Sequence, residues 1–253
     1  MVRKLSPNHA EDCERVKKTT KILCGAMAAV IVIMLVISGE EYVSADSLVE
    51  MKTETKYVAL TFDDGPREGT TDRLLDGLKE RGANATFFLV GEQAAVAQEL
   101  VRRMKDEGHQ VGNHTWSHVR LEGTDETELL REIDQNERLL EEILGGENYW
   151  LRPPYGVISP DILARIQVPL VKWSVDPRDW ESRDQKKIVE AVLEAVEPNS
   201  IILLHDIYPT SVDAALELID TLQKEGYWFV TVEELLRLNG ITPRAGAFYR
   251  SGE

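Results

Sequence analysis

Apolar runs of strand length alternate with amphipathic stretches of helix length between residues 56 and 238. The first unit is YVALTF followed by TDRLLDGLKERG, and the second is ATFFLV followed by AAVAQELVRRMKDEG. The later units place their apolar runs in HQVGNH, YWLRPP, VPLVKWSV, SIILLHD and WFVTV. Seven such units predict a parallel α/β sheet wrapped by helices, either an open doubly wound sheet or a barrel.

Polar residues interrupt these apolar runs where the predicted strands end. In parallel α/β folds, functional sites gather at the carboxyl ends of the strands. Residues that are far apart in the sequence are therefore expected to share one site. The polar residues at these positions are Asp63, Asp64, His114, Arg152, Asp176, Asp179 and His205.

Length and charge restrict the class of protein. A chain of 253 residues, 43% hydrophobic and 29% charged, can build one substantial core, and we expect one folded domain. The net charge is -15, while the first 21 residues carry six basic and three acidic residues, which leaves -18 for the remainder. An acidic body is poorly suited to a phosphate backbone, so no nucleic-acid partner is expected.

The N-terminal region has the pattern of a membrane-targeting segment. Residues 22–37 are sixteen residues without a charge, preceded by the basic cluster and followed by Glu40 and Glu41. This charge order predicts a cytoplasmic segment at 1–21, a transmembrane anchor or signal h-region at 22–38, and a body outside the membrane. The small residues at 43–45 would also allow secretion after cleavage near Ala45, whereas the long polar start favours a retained anchor.

The remaining boundaries follow from composition. Residues 39–55 are predicted to be a linker, 56–238 the folded domain, and 239–253 a tail that forms a loop or a frayed end. Both cysteines, Cys13 and Cys24, precede the end of the apolar segment. The exported part therefore has no thiol and forms no disulfide.

Two histidines and two aspartates have the composition of a metal site. In NHTWSH, His114 and His118 are four apart, which on a helical turn would put both imidazoles on one face, at a spacing suited to one metal ion. Thr115 stands where a zincin helix would carry its glutamate, so the base must come from elsewhere. Asp63 and Asp64 can supply both a carboxylate ligand and a base. Zinc is the expected divalent ion, and cobalt, nickel or manganese could occupy the same ligands.

Five short motifs occur in order: TFDDGP, HTWSH, RPPYG, DPRDW and LLHD. Together they resemble the signature motifs of the polysaccharide deacetylases, which share the NodB homology domain and are of the carbohydrate esterase family 4 type. The resemblance covers roughly residues 56–238 and implies a distorted (β/α) barrel with seven or eight parallel strands. Leu151 precedes Arg152 where the family often has an aromatic residue, a difference expected to affect packing only.

The resemblance implies roles on the side of the base. Asp63 corresponds to the catalytic base, and Arg152 corresponds to the residue that pairs with this base and orients it. Asp64, His114 and His118 correspond to the metal ligands. The adjacent carboxylates of TFDDGP are thereby explained, because one binds the cation and the other accepts a proton from the attacking water.

The resemblance also implies roles on the side of the leaving group. His205 corresponds to the general acid that protonates the departing amine, and Asp179 to its carboxylate partner. The backbone N–H of Tyr155 would join the metal in holding the developing oxyanion. Trp180 and Leu203 resemble the walls of a substrate pocket for the acetyl methyl group.

These observations predict a metal-dependent hydrolase that removes N-acetyl groups from amino sugars of an extracellular polysaccharide. Peptidoglycan is the expected substrate, on the combined basis of the family, the outward orientation and the membrane segment. Deacetylation of chitin oligosaccharides or of O-acetylated xylan is the alternative within the same chemistry. The two other hypotheses are a non-catalytic, membrane-tethered glycan-binding protein and a metal-dependent phosphoesterase. A binding protein has no need for both a base and an acid.

Overall fold

The computed structural model of the chain describes residues 55–123, 125–146 and 148–253. The predicted cytoplasmic segment, the apolar segment at 22–38, both cysteines and almost all of the linker lie outside these residues. Among the helices that the structure describes, none has the length and apolar character needed to cross a membrane.

Within the described ranges, seven strands and nine α-helices follow one another along the chain. The strands are β1 (Lys56–Asp63), β2 (Ala85–Leu89), β3 (Gln110–Asn113), β4 (Leu170–Val171), β5 (Ile201–His205), β6 (Tyr227–Phe229) and β7 (Phe248–Tyr249). The helices are α1 (Thr71–Glu80), α2 (Gly91–Val96), α3 (Gln98–Asp106), α4 (Glu126–Leu144), α5 (Pro160–Leu163), α6 (Asp179–Ser182), α7 (Gln185–Ala195), α8 (Pro209–Lys224) and α9 (Val232–Leu238). A 3-10 turn covers Pro154–Gly156.

The strands pair in parallel, as predicted for an α/β fold. The main sheet has the order β3-β2-β1-β5, with β6 paired to the start of β1, and β4 pairs separately with β7. Single-residue bridges connect Leu151 to Asn113 and to Leu170, and Val175 to Ile202. The parallel backbone therefore continues from β3 through the segment 170–175 to β5, an arrangement consistent with the expected distorted barrel.

The register of β1 positions the candidate catalytic side chains next to one another. Asp63, the last residue of β1, lies opposite Phe88 of β2 and opposite His205, the last residue of β5. The last six residues of β1 are all buried, as expected for a parallel strand covered on both faces. Phe62 and Phe87 stack in the core with their ring centroids 5.3 Å apart. This packing fixes the strands whose ends carry the polar residues.

The C-terminal tail differs from the prediction. Residues 239–253 were expected to form a loop or a frayed end, but Phe248 and Tyr249 form β7 and pair with Leu170 and Val171. Phe248 packs against the apolar cluster that contains Leu170. The tail expectation is therefore wrong for this stretch. Two consecutive aromatic residues are too short a run to show strand periodicity, and tertiary contacts fix their conformation.

Deleting residues 246–253 should destabilise the domain, because it removes the partner strand of β4 and the packing of Phe248. The expected loss is about 1–3 kcal/mol of unfolding free energy. It would be measured as a lower urea midpoint at an unchanged m-value. Arg250→Ala, which changes an exposed side chain, is the control. An unchanged midpoint in the deletion would show that the tail is dispensable.

Candidate active site

The carboxylate of Asp63 is paired with a fully buried arginine. The Nη1 group of Arg152 donates hydrogen bonds to Asp63 Oδ1 at 2.8 Å and to Thr61 Oγ1 at 2.7 Å. Nη2 donates to the carbonyl oxygen of Lys172 at 2.9 Å, and the guanidinium carbon lies 4.2 Å from the ring centroid of Phe88. Arg152 is 0% exposed. These contacts hold the Asp63 carboxylate in one orientation.

Asp64 and the two histidines form a set of metal-ligand atoms. Asp64 Oδ1 lies 3.6 Å from His114 Nε2 and 3.2 Å from His118 Nε2, and one ligand atom from each residue lies within 4.8 Å of the others. Asp64 Oδ1 is buried and has no hydrogen-bond partner among the described residues. His114 Nδ1 donates to the carbonyl oxygen of Arg152 at 2.6 Å, which directs its Nε2 lone pair to the set. This donor set fits one divalent ion.

The segment that carries the two histidines is not the helical turn expected from their spacing. His114 directly follows β3, and Thr115 and His118 have φ values of 66° and 60°. These left-handed values are incompatible with an α-helix. The helical expectation is therefore wrong, although the ring centroids of His114 and His118 do come within 5.0 Å of one another.

Helix α4 stabilises this loop. The Nδ2 group of Asn136 donates to the carbonyl oxygen of Thr115 at 3.0 Å and to Asn113 Oδ1 at 3.0 Å. The carboxylate of Glu132 accepts from the backbone N–H of Ser117 at 2.8 Å. Asn136 is fully buried and Glu132 is 6% exposed. The loop is thus held by polar contacts from a helix that begins eight residues after His118.

His205 is paired with a fully buried carboxylate. Its Nδ1 donates to Asp179 Oδ1 at 2.8 Å, and its backbone N–H donates to Asp179 Oδ2 at 2.9 Å. Burial acts to lower the pKa of His205, but the hydrogen bond and charge of Asp179, aided by Asp63 and Asp64, raise it to about 9. The imidazole is therefore held in its charged form at neutral pH.

A pocket of about 360 Å³ brings most of the predicted residues together. Arg152 and Asp179 are both 0% exposed and lie behind the pocket wall. They form hydrogen bonds with Asp63 and His205, which line the pocket. The predicted residues that line the pocket are Asp63, Asp64, His114, His118, Tyr155, Trp180, Leu203 and His205.

Tyr155 lies in a strained turn at the pocket. It has φ 60° within the turn Pro154–Gly156, and its ring is 57% exposed. Its ring centroid is 4.8 Å from that of His118. Its backbone N–H has no hydrogen-bond partner among the described residues. This N–H is free to bind a ligand oxygen.

The pocket also contains residues to which the sequence analysis gave no role. Trp173, Asp176 and Tyr208 complete its lining. Asp176 belongs to the DPRDW motif, and its Oδ1 accepts from the backbone N–H of Arg178 at 2.9 Å, a local turn contact. The guanidinium carbon of Arg183 lies 3.3 Å from the ring centroid of Tyr208. Trp173 and Tyr208 carry no sequence signal that separates them from core aromatics.

Asp206, the last residue of the LLHD motif, is a further buried carboxylate for which the sequence predicted no role. It is 0% exposed, it accepts a hydrogen bond from Thr71 Oγ1, and burial raises its pKa to about 7. A Cβ atom on Gly65 would lie 2.3 Å from Asp206 Oδ1, so only glycine fits there without rearrangement. The side chain therefore packs directly under the turn that carries Asp64.

Comparisons with known proteins identify the family of the chain. A family model described as polysaccharide deacetylase matches residues 50–168. The chain is 42% identical to the peptidoglycan-N-acetylmuramic acid deacetylase PdaC of Bacillus subtilis over 180 residues. This match covers 71% of this chain and 38% of that protein. It is 38% identical over 205 residues to a peptidoglycan-N-acetylglucosamine deacetylase of Bacillus cereus, covering 78% and 74% of the two chains. The chain belongs to the polysaccharide deacetylase family.

A solved structure from the same family extends the comparison. A family 4 acetyl xylan esterase from Clostridium thermocellum, in complex with a cobalt ion, matches with a TM-score of 0.73 at 32% identity. The match covers 78% of this chain and 98% of that one. The chain spans less than two fifths of the length of PdaC and of the peptidoglycan deacetylase PgdA of Listeria monocytogenes.

We predict that His114→Ala abolishes divalent-metal binding, because it removes one of three converging ligand atoms. Metal content would be measured by elemental analysis after dialysis against excess zinc. His205→Ala is the matched control and should retain the metal, since His205 is not part of the ligand set. Equal metal content in His114→Ala and the unmodified protein would remove His114 from the site.

Proposed function

We propose that this polysaccharide deacetylase is a metal-dependent hydrolase that removes N-acetyl groups from amino sugars of peptidoglycan. The observation that carries the proposal is one pocket in which an Asp63–Arg152 pair and a His205–Asp179 pair flank an Asp-His-His ligand set. Hydrolysis of an amide needs a proton removed from water and a proton delivered to the amine, and two separate groups are present for these tasks. A glycan-binding protein needs neither.

One divalent ion would be held by Asp64, His114 and His118. We propose zinc, which suits two imidazoles and a carboxylate. The cobalt ion in the Clostridium thermocellum relative supports cobalt as an alternative, and nickel or manganese could bind the same ligand types. When bound, such an ion would polarise the acetamide carbonyl and make the attacking water more acidic.

Asp63 is the proposed general base. Its Oδ1 is occupied by Arg152, while Oδ2 lies 3.6 Å from His114 Nε2 and so faces the ligand set where the water would attack. Oδ2 accepts the proton of the water as the new C–O bond forms. The free N–H of Tyr155 would donate to the oxygen that gains charge in this step.

His205 is the proposed general acid. Because Nδ1 is bound to Asp179, Nε2 carries the proton that passes to the nitrogen as the C–N bond breaks. Trp180, 44% exposed, and Leu203, 4% exposed, both line the pocket and would contact the acetyl methyl group.

The relatives support peptidoglycan as the substrate. PdaC and the Bacillus cereus deacetylase are both named for peptidoglycan, on muramic acid and glucosamine respectively. The similarity to an acetyl xylan esterase makes O-acetylated xylan the second class to test, and chitin oligosaccharides are the third.

The activity is tested by acetate release from peptidoglycan, chitin oligosaccharides and acetylated xylan with the purified, zinc-loaded full chain. Asp63→Asn should keep its metal and lose about two to four orders of magnitude in turnover, the scale of a general base. The kcat/KM profile of the unmodified protein should fall in alkali as pH rises through the raised pKa of His205. No acetate from any polymer would overturn the proposal.

We further propose that the catalytic domain lies outside the cytoplasmic membrane, either anchored by residues 22–38 or secreted after cleavage near Ala45. The basic flank before the apolar segment motivates this orientation. Alkaline phosphatase fused after Glu253 should be active, since this reporter works only outside the cytoplasm. An inactive phosphatase fusion, with a fluorescent cytoplasmic reporter active at the same position, would contradict it.

A further inference from the structure

The carboxylate of Asp179 has a third hydrogen-bond donor besides the two from His205. Ser211 Oγ donates to Asp179 Oδ2 at 2.5 Å, on the same oxygen that accepts the backbone N–H of His205. Asp179 and Ser211 are both 0% exposed, so solvent does not compete for these contacts. The direction of the bond is fixed, because an ionised carboxylate only accepts.

Two helix starts bring these groups together. Asp179 is the first residue of α6, and Ser211 lies in the first turn of α8, which begins at Pro209. The backbone N–H of Ser211 bonds to the carbonyl oxygen of Tyr208 at 3.1 Å, which anchors the serine in that turn. The hydroxyl is therefore held against the carboxylate by the backbone of α8.

We infer that Ser211 is a positioning residue, whose hydroxyl orients the Asp179 carboxylate. By stabilising the negative charge of that carboxylate, the hydroxyl limits how tightly His205 holds its proton. A hydrogen bond to a carboxylate stabilises its charge and weakens its pull on a neighbouring cation. Without the hydroxyl, the charge on Asp179 would act more strongly on the imidazolium. Ser211→Ala should therefore strengthen proton binding by His205, whereas Asp179→Asn should weaken it.

Other titratable groups also face His205 and must stay unchanged in the test. They are Asp63 on β1 and Asp64 on the turn after it, His118 on the loop after β3, and Asp206 beside His205. Ser211 makes no hydrogen bond with any of these groups in the described part of the chain. A change at Ser211 therefore reaches His205 through Asp179.

This inference rests on the proposed function, and its first test is the basic limb of the kcat/KM profile for the zinc-loaded full chain. In Ser211→Ala the midpoint of the basic limb should move to higher pH, by a few tenths of a unit to about one unit. In Asp179→Asn the midpoint should move to lower pH. Ser182→Ala is the matched control, because the Ser182 hydroxyl is nearby on α6 and has no partner among the described residues. Its limb should not move.

A second measurement keeps the inference testable if turnover is lost. Nitrogen NMR of the imidazoles in the zinc-loaded protein would follow the titration of His205 in the unmodified chain, in Ser211→Ala and in Ser211→Cys. The thiol is a weak donor of similar size, so Ser211→Cys should fall between the other two. An unmoved or lowered His205 titration in both variants would overturn the role of Ser211. An inactive unmodified enzyme with the expected NMR shifts would instead contradict the proposed function alone.

Discussion

The fully buried guanidinium of Arg152 is the contact on which the candidate site depends. Enclosing such a charge costs several kcal/mol unless a carboxylate and further acceptors surround it. Asp63 supplies the carboxylate, Thr61 a hydroxyl oxygen, and Lys172 a carbonyl oxygen. The carbonyl oxygen of Arg152 itself accepts from His114 Nδ1. The same residue therefore fixes the orientation of the proposed base and of one proposed metal ligand, so neither can move without disturbing the buried charge.

The parallel register of the strands brings the other half of the site next to this contact. β1 lies between β2 and β5, and its last residue, Asp63, is level with His205. These two side chains are 142 positions apart along the chain, but neighbouring strands bring their backbones to a spacing of about 5 Å. A shift of one residue in this pairing would turn one of the two side chains to the opposite face. The buried hydrogen bond between Asp63 and Arg152 opposes that shift, because it requires Asp63 in its present position.

Sequence reasoning predicted the features that rest on continuous apolar runs and on polar residues at their ends. β1, β2 and β5 are such runs, and residues at the ends of β1 and β5 line the pocket. The conformation of the His114 loop was not predictable, because a spacing of four residues suits both a helix and a loop with two left-handed residues. Hydrogen bonds with Glu132 and Asn136 on α4 fix the conformation of this loop. Those contacts are tertiary, as is the hydrogen bond of Ser211 to Asp179, and no local pattern marks them.

The proposed general base and the proposed general acid have partners of opposite charge. The base is paired with a buried cation, Arg152, whereas the acid is paired with a buried anion, Asp179. Arg152 orients the Asp63 carboxylate by a hydrogen bond to one of its oxygens, whereas the anion beside the His205 imidazole favours the form that carries a proton. Arg152 and Asp179 are both fully buried, so solvent and salt screen neither contact.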